Sequence, residues 1–224
     1  MIHIDTKKEV LDFSQYELTE WNYVKINPHK SARTSSLKEE VYVIDNLFPE
    51  WFIDYVHDHT IHAPAWLFGR TSQSNDKNEH WDEELNPDGF VREVPAFSQQ
   101  IFPPNAANAG DSCFKMIYEA FSKSLPDHDL YEIVVNGQQH FHNTIFHRDS
   151  MDEKYCTVIY YVNKDWQESW GGETIIRTSD ENVKVLPIPG RVVLFKGKLP
   201  HMGCSYNECY DGLRATVAFK LVLK

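Results

Sequence analysis

No uninterrupted apolar run in these 224 residues approaches the ~20 residues that a membrane-spanning helix needs. The opening stretch, MIHIDTKKEVLDF, lacks the apolar core of a secretory signal, so the expected location is intracellular, in the cytoplasm, with no membrane partner. Cysteine is scarce. Cys113, Cys156, Cys204 and Cys209 form no C-x-x-C pair, so free thiols in a reducing compartment are expected rather than a disulfide framework. Basic residues are also in deficit. The 22 Lys and Arg against 33 Asp and Glu leave a formal net charge of −11, which disfavours nucleic acid as a partner because phosphate binding rests on clustered cations. Neither an internal repeat nor a low-complexity tract is present.

What remains is ordinary for a globular chain: 42% apolar and 25% charged residues, and enough length for one domain with a sizeable core. The expectation is a single domain over 1–224, with an elaborated half at 1–128 and a catalytic core at 129–224. The composition is silent on oligomeric state. Val41 to Asp45 reads as a strand and Pro49 to His59 as a helix, in which Trp51, Phe52, Tyr55 and Val56 recur at helical spacing. A second helix is expected from a cap at Asp111 or Ser112 to about Lys123, burying Phe114, Ile117, Tyr118 and Phe121. The acidic stretch Asn75 to Asp88 and the Pro/Gly-bearing stretch Phe102 to Gly110 read as loops. From Leu130 onward the texture changes to short runs rich in β-branched and aromatic residues. These are Leu130 to Val135, Thr144 to His147, Cys156 to Val162, Glu173 to Arg177, Val183 to Leu186, Arg191 to Phe195 and Arg214 to Leu223. Many short strands at even spacing call for a sandwich or barrel, mainly β, with the N-terminal helices packed against one sheet.

Two short strings carry chemistry: His147-Arg148-Asp149, and Pro200-His201 some fifty residues on. Two imidazoles and one carboxylate form a facial set for a ferrous ion and leave positions open for other ligands. Side chains alternate along an extended chain, so His147 and Asp149 point the same way. His201 must then arrive on another strand, which Gly190 to Gly203 (GRVVLFKGKLPHMG) can supply. With eleven histidines in the chain, an H-x-D alone is cheap and is more often a surface feature. His57, His59 and His62 converge with no carboxylate and read as solvent-exposed. Near the end, Arg214 and Thr216 share one face of the last strand, while Val217, Phe219 and Leu221 share the other. A guanidinium beside a hydroxyl makes a carboxylate receptor, although an isolated Arg is more often a surface ion pair.

The run His147 to Arg177, with Ile159-Tyr160-Tyr161-Val162-Asn163-Lys164-Asp165-Trp166 at its centre, resembles the iron- and 2-oxoglutarate-dependent dioxygenases. Within them it is most similar to the prolyl hydroxylases of the hypoxia-inducible-factor and collagen types. Gly171-Gly172-Glu173-Thr174 and Pro189 to Phe195 (PGRVVLF) strengthen the resemblance, which covers roughly residues 130 to 224. It implies a double-stranded β-helix, the cupin-like jelly roll, with N-terminal helices against the larger sheet. It also implies Fe(II) on His147, Asp149 and His201, and 2-oxoglutarate held through its distal carboxylate by Arg214, Thr216 and Tyr161. Dioxygen is the co-reactant and ascorbate a candidate reductant. The implied reaction hydroxylates a C–H bond and releases succinate and carbon dioxide. Val135 to Gln138 matches loosely and receives no role.

The substrate stays open at this level. A peptidyl proline comes first, a free amino acid or other small metabolite second, and nucleobase demethylation third. A cupin-type metal protein without 2-oxoglutarate, a zinc hydrolase and a non-enzymatic remnant are the competing classes. Trp66 and Trp81 are candidates for the substrate entrance, although packing tryptophans are commoner.

Overall fold

The structure, a computed structural model, describes residues 41–70, 96–102, 113–122, 125–142 and 144–224. Among the described residues, ten strands and two α-helices follow in the order β1 (Val41–Ile44), α1 (Glu50–Ile61), β2 (Leu67–Arg70), β3 (Ala96–Phe102), α2 (Cys113–Ser122), β4 (His128–Gln138), β5 (Tyr155–Tyr161), β6 (Thr174–Arg177), β7 (Asn182–Val185), β8 (Val192–Lys196), β9 (His201–Gly203) and β10 (Arg214–Leu223). A large sheet runs β1-β8-β5-β10-β4-β3-β2 and a small one β7-β6-β9, with every pairing antiparallel.

From β4 onward the chain crosses repeatedly between the sheets. It visits the large sheet at β4, β5, β8 and β10, and the small one at β6, β7 and β9. The segment around His147 joins the small sheet through a single bridge to His201. Two sheets wound together in this way form a double-stranded β-helix, as the sequence suggests.

Period-two alternation decides what each face of the large sheet does. On β10, Ala215, Val217, Phe219 and Leu221 are buried toward the helices. There they meet Phe52 and Val56 of α1, and Cys113, Phe114, Ile117 and Phe121 of α2. The helical spacing of those residues (i, i+4 in α1 and i, i+1, i+4, i+8 in α2) gives each helix one apolar stripe, so helices and sheet bury each other. Pro49 caps α1 in an extended conformation, and the helix runs two residues past the expected His59 to Ile61. The opposite face of the sheet looks at β6, β7 and β9. One end of that space is filled by Ile159, Tyr161, Ile176, Val183, Val185, Val193, Phe195 and Leu199. The other end is left open as a cavity.

Expectation and structure differ in several places. Strands β2 and β3 extend the large sheet where no strand was expected. Thr144 to His147, expected as a strand, pairs only at His147, because Gly203 N–H is taken by the Thr144 hydroxyl (2.8 Å) rather than by a strand carbonyl. His59 and His62 are exposed as expected, but His57 is half-buried and burial lowers its imidazole. The expected cap at Asp111 or Ser112, the helix end at Lys123, the loops at Asn75 to Asp88 and beyond Phe102, and Trp81 all lie outside the described residues. All four cysteines are free thiols. No helix among the described residues is long and apolar enough to cross a membrane.

Candidate metal centre

The open end of the β-helix holds a cavity of about 150 Å³ lined by residues of β3, β4, β5, β6, β9, β10 and the 144–149 segment. Strand parity explains its lining. Arg214, Thr216, Ala218 and Lys220 of β10 all project into it, beside Val134, Asn136 and Gln138 of β4.

His147, Asp149 and His201 come together there, with their ligand atoms within 4.8 Å of one another. Backbone pairing sets this up. His147 N donates to His201 O at 3.1 Å and His201 N to His147 O at 2.9 Å, so the two imidazoles stand side by side with centroids 4.3 Å apart. Asp149 N is fixed to Gly197 O at 2.9 Å in the turn that leads to His201. Each ring is oriented by its own chain: Nδ1 of His147 lies 3.0 Å from Ile145 O and Nδ1 of His201 lies 2.9 Å from Leu199 O. A carbonyl only accepts, so each Nδ1 carries the proton and each Nε2 presents a lone pair inward. Nε2 of His147 is 4.0 Å from Asp149 Oδ1, and Nε2 of His201 is 3.5 Å from Oδ2.

The electrostatics keep these donors ready. Burial works to raise the Asp149 carboxyl, but the Lys220 ammonium and the two imidazoles override it and hold the group well below the usual carboxylate range. Burial drives His201 down to about 3, with Asp149 opposing, so the ring is neutral at physiological pH. A carboxylate and two imidazoles on one face match the hard-to-borderline donor set of a ferrous ion.

Deeper in the cavity lies Arg214, 3% exposed. Nε donates to Gly172 O at 2.6 Å, Nη1 to Gln138 Oε1 at 2.6 Å and Nη2 to Thr174 Oγ1 at 2.9 Å. All three acceptors are neutral. No carboxylate among the described residues forms a salt bridge with this buried cation; Glu173 acts on it only at longer range, and burial pulls its guanidinium below the ordinary value. Gly172 is required at its position. It has φ +77°, and a Cβ there would lie 2.7 Å from Trp166 Cζ2 and 3.4 Å from Arg214 Cδ. A buried cation without a counter-ion is costly, and a carboxylate ligand in the adjoining cavity would compensate it.

Thr216 lines the cavity next to Arg214. Tyr161 sits one layer behind: fully buried, its hydroxyl donates to Thr174 Oγ1 at 2.7 Å, and Thr174 is the group that faces the cavity. Trp66 packs over Gly137, where a Cβ would lie 2.8 Å from its ring. Gln138 and Thr174 lie in segments that the sequence reading matched without giving either residue a role, and Thr157 and Lys220 have no part in it as site residues. Thr157 Oγ1 donates to Asp149 Oδ2 at 2.5 Å, and Lys220 Nζ donates to the same oxygen. Lys220 follows from the parity that selects Arg214 and Thr216, carried four residues further.

A family model described as the 2OG-Fe(II) oxygenase superfamily matches residues 131–219. The chemistry of these 2OG-Fe(II) oxygenases is oxidoreductive and uses Fe(II), 2-oxoglutarate and dioxygen. Solved structures share the double-stranded β-helix. A prolyl hydroxylase from Trichoplax adhaerens, in complex with a hypoxia inducible factor oxygen degradation domain peptide fragment, is 16% identical. That match covers 81% of this chain and 83% of that one, with a TM-score of 0.53. A Pseudomonas putida prolyl-4-hydroxylase is 17% identical over 83% of this chain and 94% of that one, with a TM-score of 0.50. One of the prolyl 4-hydroxylases of Phytophthora capsici is 16% identical over 83% and 59%, with a TM-score of 0.52. A comparison with curated protein sequences returns no match.

Proposed function

We propose that the protein is a 2-oxoglutarate-dependent hydroxylase acting on an unactivated C–H bond, with a prolyl residue of a peptide or protein as substrate and residues 129–224 as its catalytic core. The observation that carries the reading is the pairing, in one cavity, of a His/Asp/His donor set with a buried guanidinium that has only neutral partners.

In this reading His147, Asp149 and His201 hold Fe(II), while Arg214 and Thr216 take the distal carboxylate of 2-oxoglutarate. Tyr161 acts on that carboxylate through Thr174. When bound, iron and 2-oxoglutarate supply an oxidation in which dioxygen gives one oxygen atom to the C–H bond and one to succinate, with loss of carbon dioxide. The chain's own residues perform the rest. The Nδ1–H bonds to Ile145 O and Leu199 O fix ring orientation and tautomer, so that Nε2 is the atom each neutral ring offers to a metal. Three of the five N–H groups of Arg214 are tied down, which fixes the guanidinium plane and leaves one N–H on each Nη for a bidentate grip. The β-helix walls limit water around that ion pair, which strengthens it. A peptide substrate is supported by the Trichoplax neighbour, whose structure holds a peptide fragment.

The test is an anaerobic titration of the protein with Fe(II) and then 2-oxoglutarate, followed by succinate formation with proline-containing peptides, free amino acids and methylated nucleic acids. The expected result is a weak visible charge-transfer band on adding 2-oxoglutarate and peptide-stimulated succinate. Bound metal without the band would overturn the cosubstrate assignment, and stimulation by amino acids alone would replace the peptide with a small metabolite.

A further inference from the structure

Asp149 carries two hydrogen-bond donors on one of its oxygens. The Thr157 hydroxyl and the Lys220 ammonium both reach Oδ2, while Oδ1 faces His147. Lys220 is not a stray surface amine. Its side chain is 14% exposed, it lines the cavity, and the two residues come together across 71 positions of sequence. Its cross-strand neighbours are Glu132 on β4 and Thr157 on β5. A lysine contributes nothing to an H-x-D…H donor set, and the cavity already has a cation for a carboxylate ligand in Arg214.

We propose that Lys220 is a positioning residue that sets the charge of the metal centre, favouring the ferrous over the ferric state of an ion held by His147, Asp149 and His201. This rests on the iron reading given above. Two physical effects act in the same direction. A cation hydrogen-bonded to the far oxygen of a ligating carboxylate withdraws electron density from it and makes it a poorer donor to a more highly charged ion. A fixed positive charge close by also repels a trivalent ion more than a divalent one, in a site where burial limits screening by water. Thr157 and Lys220 together occupy Oδ2, so Oδ1 is the oxygen left for the ion. The consequence is a centre that loses its electron less readily when dioxygen is consumed without substrate, and that therefore depends less on an external reductant such as ascorbate.

The test is a redox titration of the Fe(II)-loaded protein, without 2-oxoglutarate or dioxygen. Iron gives one electron to a dissolved mediator, and the ferric form is read by electron paramagnetic resonance. Wild type, Lys220→Met and Lys220→Arg are compared, with iron content and melting temperature measured on each. The expected result is a midpoint potential shifted to more negative values in Lys220→Met and restored toward wild type in Lys220→Arg, with iron content unchanged. An unshifted potential in iron-loaded Lys220→Met overturns the proposal. So does loss of iron from that variant, which would make Lys220 an assembly residue instead. Failure of the wild type to take up Fe(II) would bring down the iron reading itself, and the wild-type arm alone identifies that case.

Discussion

Replacing Arg214 by Lys keeps a positive charge in the cavity but removes the planar fork. In the wild type the guanidinium serves Gly172 O, Gln138 Oε1 and Thr174 Oγ1 and still presents two N–H groups to a ligand. An ammonium has three N–H groups in all, so it cannot hold those three acceptors and a carboxylate together. The ligand loses one of two charge-assisted bonds, worth about 1.5–3 kcal/mol, which weakens 2-oxoglutarate binding by roughly 10- to 150-fold. Replacing Arg214 by Met goes further and leaves the ligand's carboxylate buried and unpaired, at about 2–5 kcal/mol or roughly 30- to 5,000-fold. The assay is anaerobic calorimetry of 2-oxoglutarate binding with redox-silent Mn(II) in the site. Mn(II) affinity and melting temperature are measured in parallel, because the three abandoned acceptors also tie β10 to β4 and to the chain around β6. Wild-type 2-oxoglutarate affinity in a folded Arg214→Met would refute the assignment. Equal losses of metal and 2-oxoglutarate affinity would show that Arg214 supports the fold and not the ligand.

Thr174→Val should lower stability by about 2–6 kcal/mol in urea denaturation, since it strands two buried donors at about 1–3 kcal/mol each, Tyr161 OH and Arg214 Nη2. Thr174→Ser, which keeps the oxygen, should restore most of that loss. His142 lies in the chain between two cavity-lining residues, Gln138 and Thr144: it is buried, and its Nδ1 accepts from Gln139 N at 3.2 Å. Burial, and then His140, lowers its imidazole in the folded protein. The unfolded chain therefore takes up this proton first as pH falls, and the stability His142 provides above about pH 6.5 is lost below it, by at most about 1.4 kcal/mol per pH unit. Urea midpoints of wild type and His142→Gln between pH 7.5 and 5 should show the shallower acid decline in the variant, and parallel curves would refute the assignment.

Residues 129–224 were legible because their strands repeat one simple signal. On β10 the alternation of Ala215, Val217, Phe219 and Leu221 with Arg214 and Thr216 separates a helix-facing side from a cavity-facing side, and the structure reproduces it residue for residue. Strand β3 has no strand signature because Ala96–Phe102 (AFSQQIF) carries polar residues at the adjacent positions Ser98 and Gln99, one on each face, which erases the alternation. The polar load on Gln99 is satisfied by tertiary contact, its Nε2 donating to Thr60 O at 3.0 Å, and local pattern cannot anticipate that.

Parity says which face a side chain takes but not whom it meets there. The Gln138–Arg214 contact joins residues 76 apart and the Lys220–Asp149 contact residues 71 apart. The first lies within the large sheet, because β4 and β10 are in register with Arg214 opposite Gln138. The second spans the two halves of the β-helix, since Asp149 belongs to the segment that reaches the small sheet through His147. Only the winding of one sheet over the other brings Lys220 to Asp149. A lysine two turns of the pleat beyond Thr216 therefore reads in sequence as one more inward residue. In the fold it becomes a charge placed on the one anionic donor of the metal set, where replacing it should be felt at the metal before it is felt in the core.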